Sequence, residues 1–147
     1  MKKKIFATDH QLTGFFVRLV LGLLLLPHGL QKTLGLFGGY GFTGTMGYFT
    51  GVIHLPWILG AFIIVIESLG ALLLIAGLAT RFWALMVIAL MLGTIITVHG
   101  SNGFFMDWGG TLNGEGYEYH LAIIALALIS FFQGGGRYSL DHQIARS

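Results

Sequence analysis

The sequence predicts an all-α integral membrane protein, a four-helix bundle with both termini on the cytoplasmic side and a short amphipathic helix lying in the interface between the first two spans. Three observations predict it. The 147 residues are 55% hydrophobic and 10% charged, with a mean hydropathy of +0.81. A soluble domain carries roughly 25% charged residues, so these side chains would not cover a water-facing surface. Four apolar stretches approach the roughly 20 residues a helix needs to cross a bilayer. Finally, seven of the eight Lys and Arg residues fall on one side of the resulting topology, the asymmetry expected of cytoplasmic loops.

Met1-Lys2-Lys3-Lys4 followed by an apolar run resembles a secretory leader. Arg18 interrupts that run and no small-x-small cleavage site follows it, which argues for a retained first span over about residues 12–30. The second span covers about 55–78 and the third about 82–98. Ala79-Thr80-Arg81 joins them and is too short for anything but an antiparallel hairpin. The fourth span, about 119–132, is short and would recruit Tyr117 and Gln133 to reach the interfaces. Between the first two spans, Phe42, Met46, Phe49 and Ile53 recur at helical spacing. They predict an interfacial helix over 42–53 that ends before Pro56. Residues 1–147 form one domain at this length. With an even number of spans, both termini share a side with Arg81, Arg137 and Arg146, which we assign to the cytoplasm. Lys32, Asp107, Glu115 and Glu118 lie opposite.

The composition excludes several classes of function. There is no cysteine, hence no disulfide, thiolate metal site or cysteine nucleophile. The formal charge of +2 is not gathered into a basic patch, so no nucleic-acid partner is expected. No phosphate loop, dinucleotide fingerprint or nucleophile elbow is present. The 23 glycines, among them Gly47-x-x-x-Gly51 and Gly60, Gly70 and Gly77, suit close helix packing in lipid and offer surfaces for a homo-oligomer.

Ionisable groups inside spans are costly and mark either function or a buried pair. Glu67 stands in the middle of the second span, and Arg18 approaches from the cytoplasmic side of the first. A buried Arg18–Glu67 ion pair that fixes helix packing is the expectation. A second group collects at the outer ends of the spans: His28 and Lys32 on the first, His99 on the third, and Glu118 and His120 opening the fourth. In an antiparallel bundle these ends meet at one level, which predicts an outward-facing polar pocket of His28, Lys32, His99, Glu118 and His120. Histidine and carboxylate are ligand types for zinc or iron, and His28 with His99 would suit haem. No His-x-x-x-His spacing supports a metal, and none is assigned.

The order of these features resembles the DoxX family of small four-span bacterial membrane proteins. The matching residues are Arg18, His28-Gly29-x-x-Lys32, Glu67 with Gly70, and Gly77-Leu78-Ala79-Thr80-Arg81. They continue through His99 and Glu118 to Gly136-Arg137-Tyr138-Ser139-Leu140-Asp141. The resemblance implies a multi-pass protein of the bacterial cytoplasmic membrane, in contact with lipid, whose relatives include quinone-linked and oxidative-stress-associated membrane subunits. Without cysteine, this chain brings no thiol relay of its own.

Three functions fit the sequence. The first is a quinone-linked redox subunit that holds a quinone head group in the outer pocket and takes electrons from a redox partner protein. The second is a non-enzymatic membrane scaffold or partner subunit. The third binds or transports a small molecule along a path lined by Arg18 and Glu67.

Overall fold

A computed structural model describes residues 12–146. Lys2, Lys3 and Lys4, which the sequence places on the cytoplasmic side, lie outside the described residues. Those described are helical, with no strand among them. Helix α1 is Leu12–Leu34, α2 is Gly41–Gly51, α3 is Trp57–Ala76, α4 is Thr80–Asn102, α5 is Glu118–Gln133 and α6 is Leu140–Arg146. Three of them, α1, α3 and α4, are long and apolar enough to cross a membrane.

The first helix runs one turn beyond the expected end at Leu30, although Pro27 lies within it. Proline cannot donate the helix bond to the carbonyl four residues back, a defect that a packed membrane helix tolerates. The continuation keeps His28, Gln31 and Lys32 on regular helix. Helix α5 has 16 residues, or about 24 Å at the helical rise, and it takes in Gln133 but not Tyr117. The loop before it explains why. Gly116, Tyr117 and Glu118 donate their N–H groups to the carbonyls of Phe105, Gly103 and Phe104, so the backbone at Tyr117 is committed to the loop. A Cβ on Gly116 would sit 2.3 Å from the Phe105 oxygen, so this crossing requires glycine.

Helix α1 packs along α3 and α5, and α4 along α5 and the middle of α3. Leu21, Leu25, Leu74, Val87, Ile123 and Ala127 fill the space between them. On α1, Gly22 and Gly29 face α3, where a Cβ would lie 2.8 Å from the Ala71 oxygen and 2.3 Å from the Glu67 oxygen. Backbone therefore meets backbone along this seam, and the contact brings Gly29 level with Glu67. Gly29→Ala is expected to separate the two helices and cost about 1–3 kcal/mol, read as a shift in a denaturant titration of the detergent-solubilised protein. An unchanged midpoint would mean the seam is looser than these distances.

Helix α2 folds back against α1 and α3 with Thr45 and Met46 buried. It ends at Gly51, two residues before the expected Ile53, and His54 follows in the left-handed region at φ 58°.

The largest departure from expectation concerns Arg18, which is 1% exposed. Its guanidinium does not meet Glu67. Nη1 donates to the carbonyls of Leu74 (2.9 Å) and Ile75, Nε to Gly135 (2.7 Å) and Nη2 to Tyr138 (2.8 Å). Leu74 and Ile75 belong to the last turn of α3, where carbonyls run short of helical donors, although Leu74 O also accepts from the Gly77 N–H (3.1 Å). Arg18 therefore caps the C-terminus of α3, where a cation also suits the helix dipole. Asp141, equally buried, does the converse at the start of α4. Its two carboxylate oxygens accept from the N–H groups of Ala79 (2.6 Å) and Thr80 (2.9 Å). One buried cation and one buried anion thus close two helix ends from elsewhere in the chain.

Candidate functional site

The acid at the centre of α3 finds its cation at the other end of α1. Glu67 Oε2 lies 2.6 Å from Lys32 Nζ, with the two side chains 10% and 22% exposed. The pairing follows from the register of the seam. With Gly29 against Glu67, Lys32 stands one turn nearer the outer end and reaches back along the helix, whereas Arg18 is three turns away. Glu67 lies in a π-helical turn, Ile66–Gly70. His99 lies in another, Ile95–His99. Such turns recur at functional sites, and here two of them carry ionisable side chains at one end of the bundle.

A run of rings extends from this pair. The His28 ring is 6.4 Å from that of Tyr119, Tyr119 is 6.2 Å from His120, and His120 is 4.4 Å from His99, centre to centre. His99 Nδ1 lies 2.7 Å from the Glu115 carbonyl. A carbonyl only accepts, so Nδ1 carries the hydrogen and, in the neutral ring, Nε2 keeps the lone pair. His120 is 8% exposed and its Nδ1 has no hydrogen-bond partner.

Four of the five residues expected in the outer pocket, His28, Lys32, His99 and His120, belong to this connected group. Glu118 faces the loop, where its carboxylate accepts from the Met106 N–H at 3.2 Å. Glu115 and Asp107 hold the same loop through the N–H groups of Asp107, Thr111 and Leu112. Tyr119 and Glu67 join in place of Glu118. Tyr119 is hard to single out in a sequence where aromatic residues commonly mark the interface. A helical wheel does place it one position from His120. Among the described residues no three His, Asp or Glu side chains gather into a metal-binding set, and the ring stacked on His99 is His120, not His28.

His99 and His120 pack together, and neither they nor His28 line the open volume. A cavity of about 680 Å³ opens between the end of α1 and α2, lined by Gln31, Lys32, Tyr40, Thr45, Tyr48 and Phe49, among others. Lys32 is common to the cavity and the ion pair, so anything seated there would touch the cation that neutralises Glu67.

The DoxX family model matches residues 14–100, more than half of the chain. The chain belongs to the DoxX family. Within the matched region of this DoxX protein lie Arg18, His28, Lys32, Glu67 and His99, while Tyr119, His120 and Asp141 fall beyond it. A curated relative, "Putative oxidoreductase CatD" from Bacillus subtilis (strain 168), is 34% identical over 82 residues. The alignment covers 56% of this chain and 56% of that relative, so it spans little more than half the relative's length. No solved structure matches.

Proposed function

We propose that this membrane protein is a quinone-linked redox subunit of the bacterial cytoplasmic membrane, both termini cytoplasmic, with its site near the outer surface. The observation that carries the reading is the row of titratable side chains at successive positions, with ring centres 6.4, 6.2 and 4.4 Å apart. It begins at the Glu67–Lys32 pair beside the cavity, passes through His28, Tyr119 and His120, and ends at His99 near the end of α4, whose ring meets the Glu115 carbonyl. Reduction of a quinone takes up two electrons and two protons. The electrons come from a redox partner protein, since nothing in the chain transfers them. The protons need a route between the aqueous face and a head group in an apolar wall.

Lys32 is placed to donate a hydrogen bond to a quinone oxygen. Tyr40, Tyr48 and Phe49 supply flat apolar surfaces for the ring, and the lipid beyond α2 would take the tail. The name of the relative, an oxidoreductase, supports the same class.

The test uses purified protein in lipid nanodiscs with a short-chain quinone and a low-potential reductant. Wild type should retain quinone on extraction and support its reduction. His120→Phe keeps a ring in the stack but removes both nitrogens. It should leave quinone retention unchanged and slow reduction by roughly 10²-fold, the usual worth of a positioned acid–base group. Equal rates in the two proteins, or no quinone retained by wild type, would overturn the reading and favour a non-catalytic membrane scaffold.

A further inference from the structure

The segment after α5 is held more firmly than a solvated linker needs. Arg18 ties down the carbonyls of Gly135 and Tyr138, the Asp141 N–H donates to Gly77 O (2.9 Å), and the Asp141 carboxylate is spent on α4. Ser139 Oγ donates to Gly136 O (2.8 Å) and accepts from the His142 N–H (3.1 Å). Ser139 and Asp141 are each 1% exposed. Tyr138, not a glycine, is held in the left-handed region at φ 62°, a conformation that costs about 1 kcal/mol or more.

This framework presents a cavity of about 470 Å³ lined by Arg137, Tyr138, Ser139, His142, Gln143 and Arg146. Among the described residues no carboxylate lines it, because the acid of the segment, Asp141, is turned inward to cap α4. Arg137 lies over the Tyr138 ring, 5.2 Å from its centre. Around the cavity, Phe132, Tyr138, Leu140 and Ile144 are exposed. Leu140 and Ile144 are four apart and share one face of α6. A cavity lined by cations and neutral hydrogen-bond donors, near exposed apolar side chains such as Tyr138 and Leu140 at the end of a membrane bundle, has the chemistry of a lipid headgroup site.

We propose that the cavity binds the phosphate of an anionic lipid, with Arg137 and Arg146 as its cationic contacts and Ser139, held in place by Arg18 and Asp141, as part of its floor. Arginine suits phosphate because its planar fork donates two parallel hydrogen bonds. Basic pockets at the cytoplasmic ends of membrane helices bind such headgroups. The quinone reading plays no part in this inference, since the two sites lie at opposite ends of the bundle.

Native mass spectrometry of the full chain in detergent, titrated with phosphatidylglycerol or phosphatidylcholine, tests it. Wild type should retain phosphatidylglycerol about tenfold better than phosphatidylcholine. The double variant R137Q/R146Q, exposed at both positions and outside the buried network, should lose about tenfold of that retention while keeping the thermal midpoint of wild type. Equal retention of the two lipids, or undiminished retention by the variant, would overturn the proposal. A third arm titrates inorganic phosphate alone. Binding of phosphate that R137Q/R146Q abolishes, without any preference for the anionic lipid, would show that the ligand is the soluble ion and would overturn the lipid assignment.

Discussion

Arg18→Met is expected to lower the folding stability of this protein by on the order of 4 kcal/mol. The guanidinium satisfies four carbonyls on two separate parts of the chain. Leaving a buried acceptor without a partner costs about 1–3 kcal/mol, and some of these carbonyls will regain water at the bundle's end. Arg18→Lys should recover only part of the loss, because a single ammonium cannot span carbonyls that the planar fork reaches from both sides. The measurement is a denaturant titration in detergent, followed by helicity. A loss under 1 kcal/mol would show that the carbonyls find other donors. A double-mutant cycle between Arg18 and Glu67 separates this cap from the ion pair expected on sequence grounds. The two residues share no partner, so their effects should add to within about 0.5 kcal/mol.

Lys32→Met is the second large effect, and its size depends on what remains. Removing one member of a buried ion pair leaves the other uncompensated, at a cost of about 3–5 kcal/mol. Lys32 is 22% exposed and water can reach the site, which puts the expected value near the lower end of that range. Glu67→Gln should cost less, since it removes the charge that needs compensating. The combination Lys32→Met with Glu67→Gln should cost less than Lys32→Met alone while losing any activity of the site. Stabilities from the same titration form the cycle. If the two single changes simply add in the double variant, the 2.6 Å approach contributes nothing and Glu67 is neutralised by other means.

These two predictions mark where the sequence was informative and where it stopped. Apolar run lengths located α1, α3 and α4, because the bilayer sets the length of a spanning helix independently of packing. The ionisable residues were also visible, since a charge in an apolar run is conspicuous. Their pairing was not. Depth counted along each span placed Arg18 and Glu67 together, but the register of two antiparallel helices is set by where their backbones touch. Here Gly22 and Gly29 set it, and they slide Glu67 toward the end of α1 that carries Lys32. A small residue within reach of each charge, Gly29 before Lys32 and Gly77 beside Arg18, was the available signal. The π-helical turns at Glu67 and His99 leave no mark in composition. The role of Asp141 was hidden for a different reason: capping a helix 61 residues away is a long-range contact with no local pattern.

The Arg18 contacts also bear on how the bundle is completed during synthesis. Its partners at Gly135 and Tyr138 lie 117 and 120 residues further along the chain. When α1 enters the membrane its arginine has neither of them, and the α3 carbonyls it also needs arrive only after α2. Helix α1, made before α3, α4 and α5, is thus the last of these to acquire its full set of partners, and it can do so only once Tyr138 has left the ribosome. Until then the guanidinium must stay with water or lipid phosphate, because stranding it in hydrocarbon is costly. The bundle therefore locks shut only when the segment around Gly135 and Tyr138 arrives, rather than helix by helix.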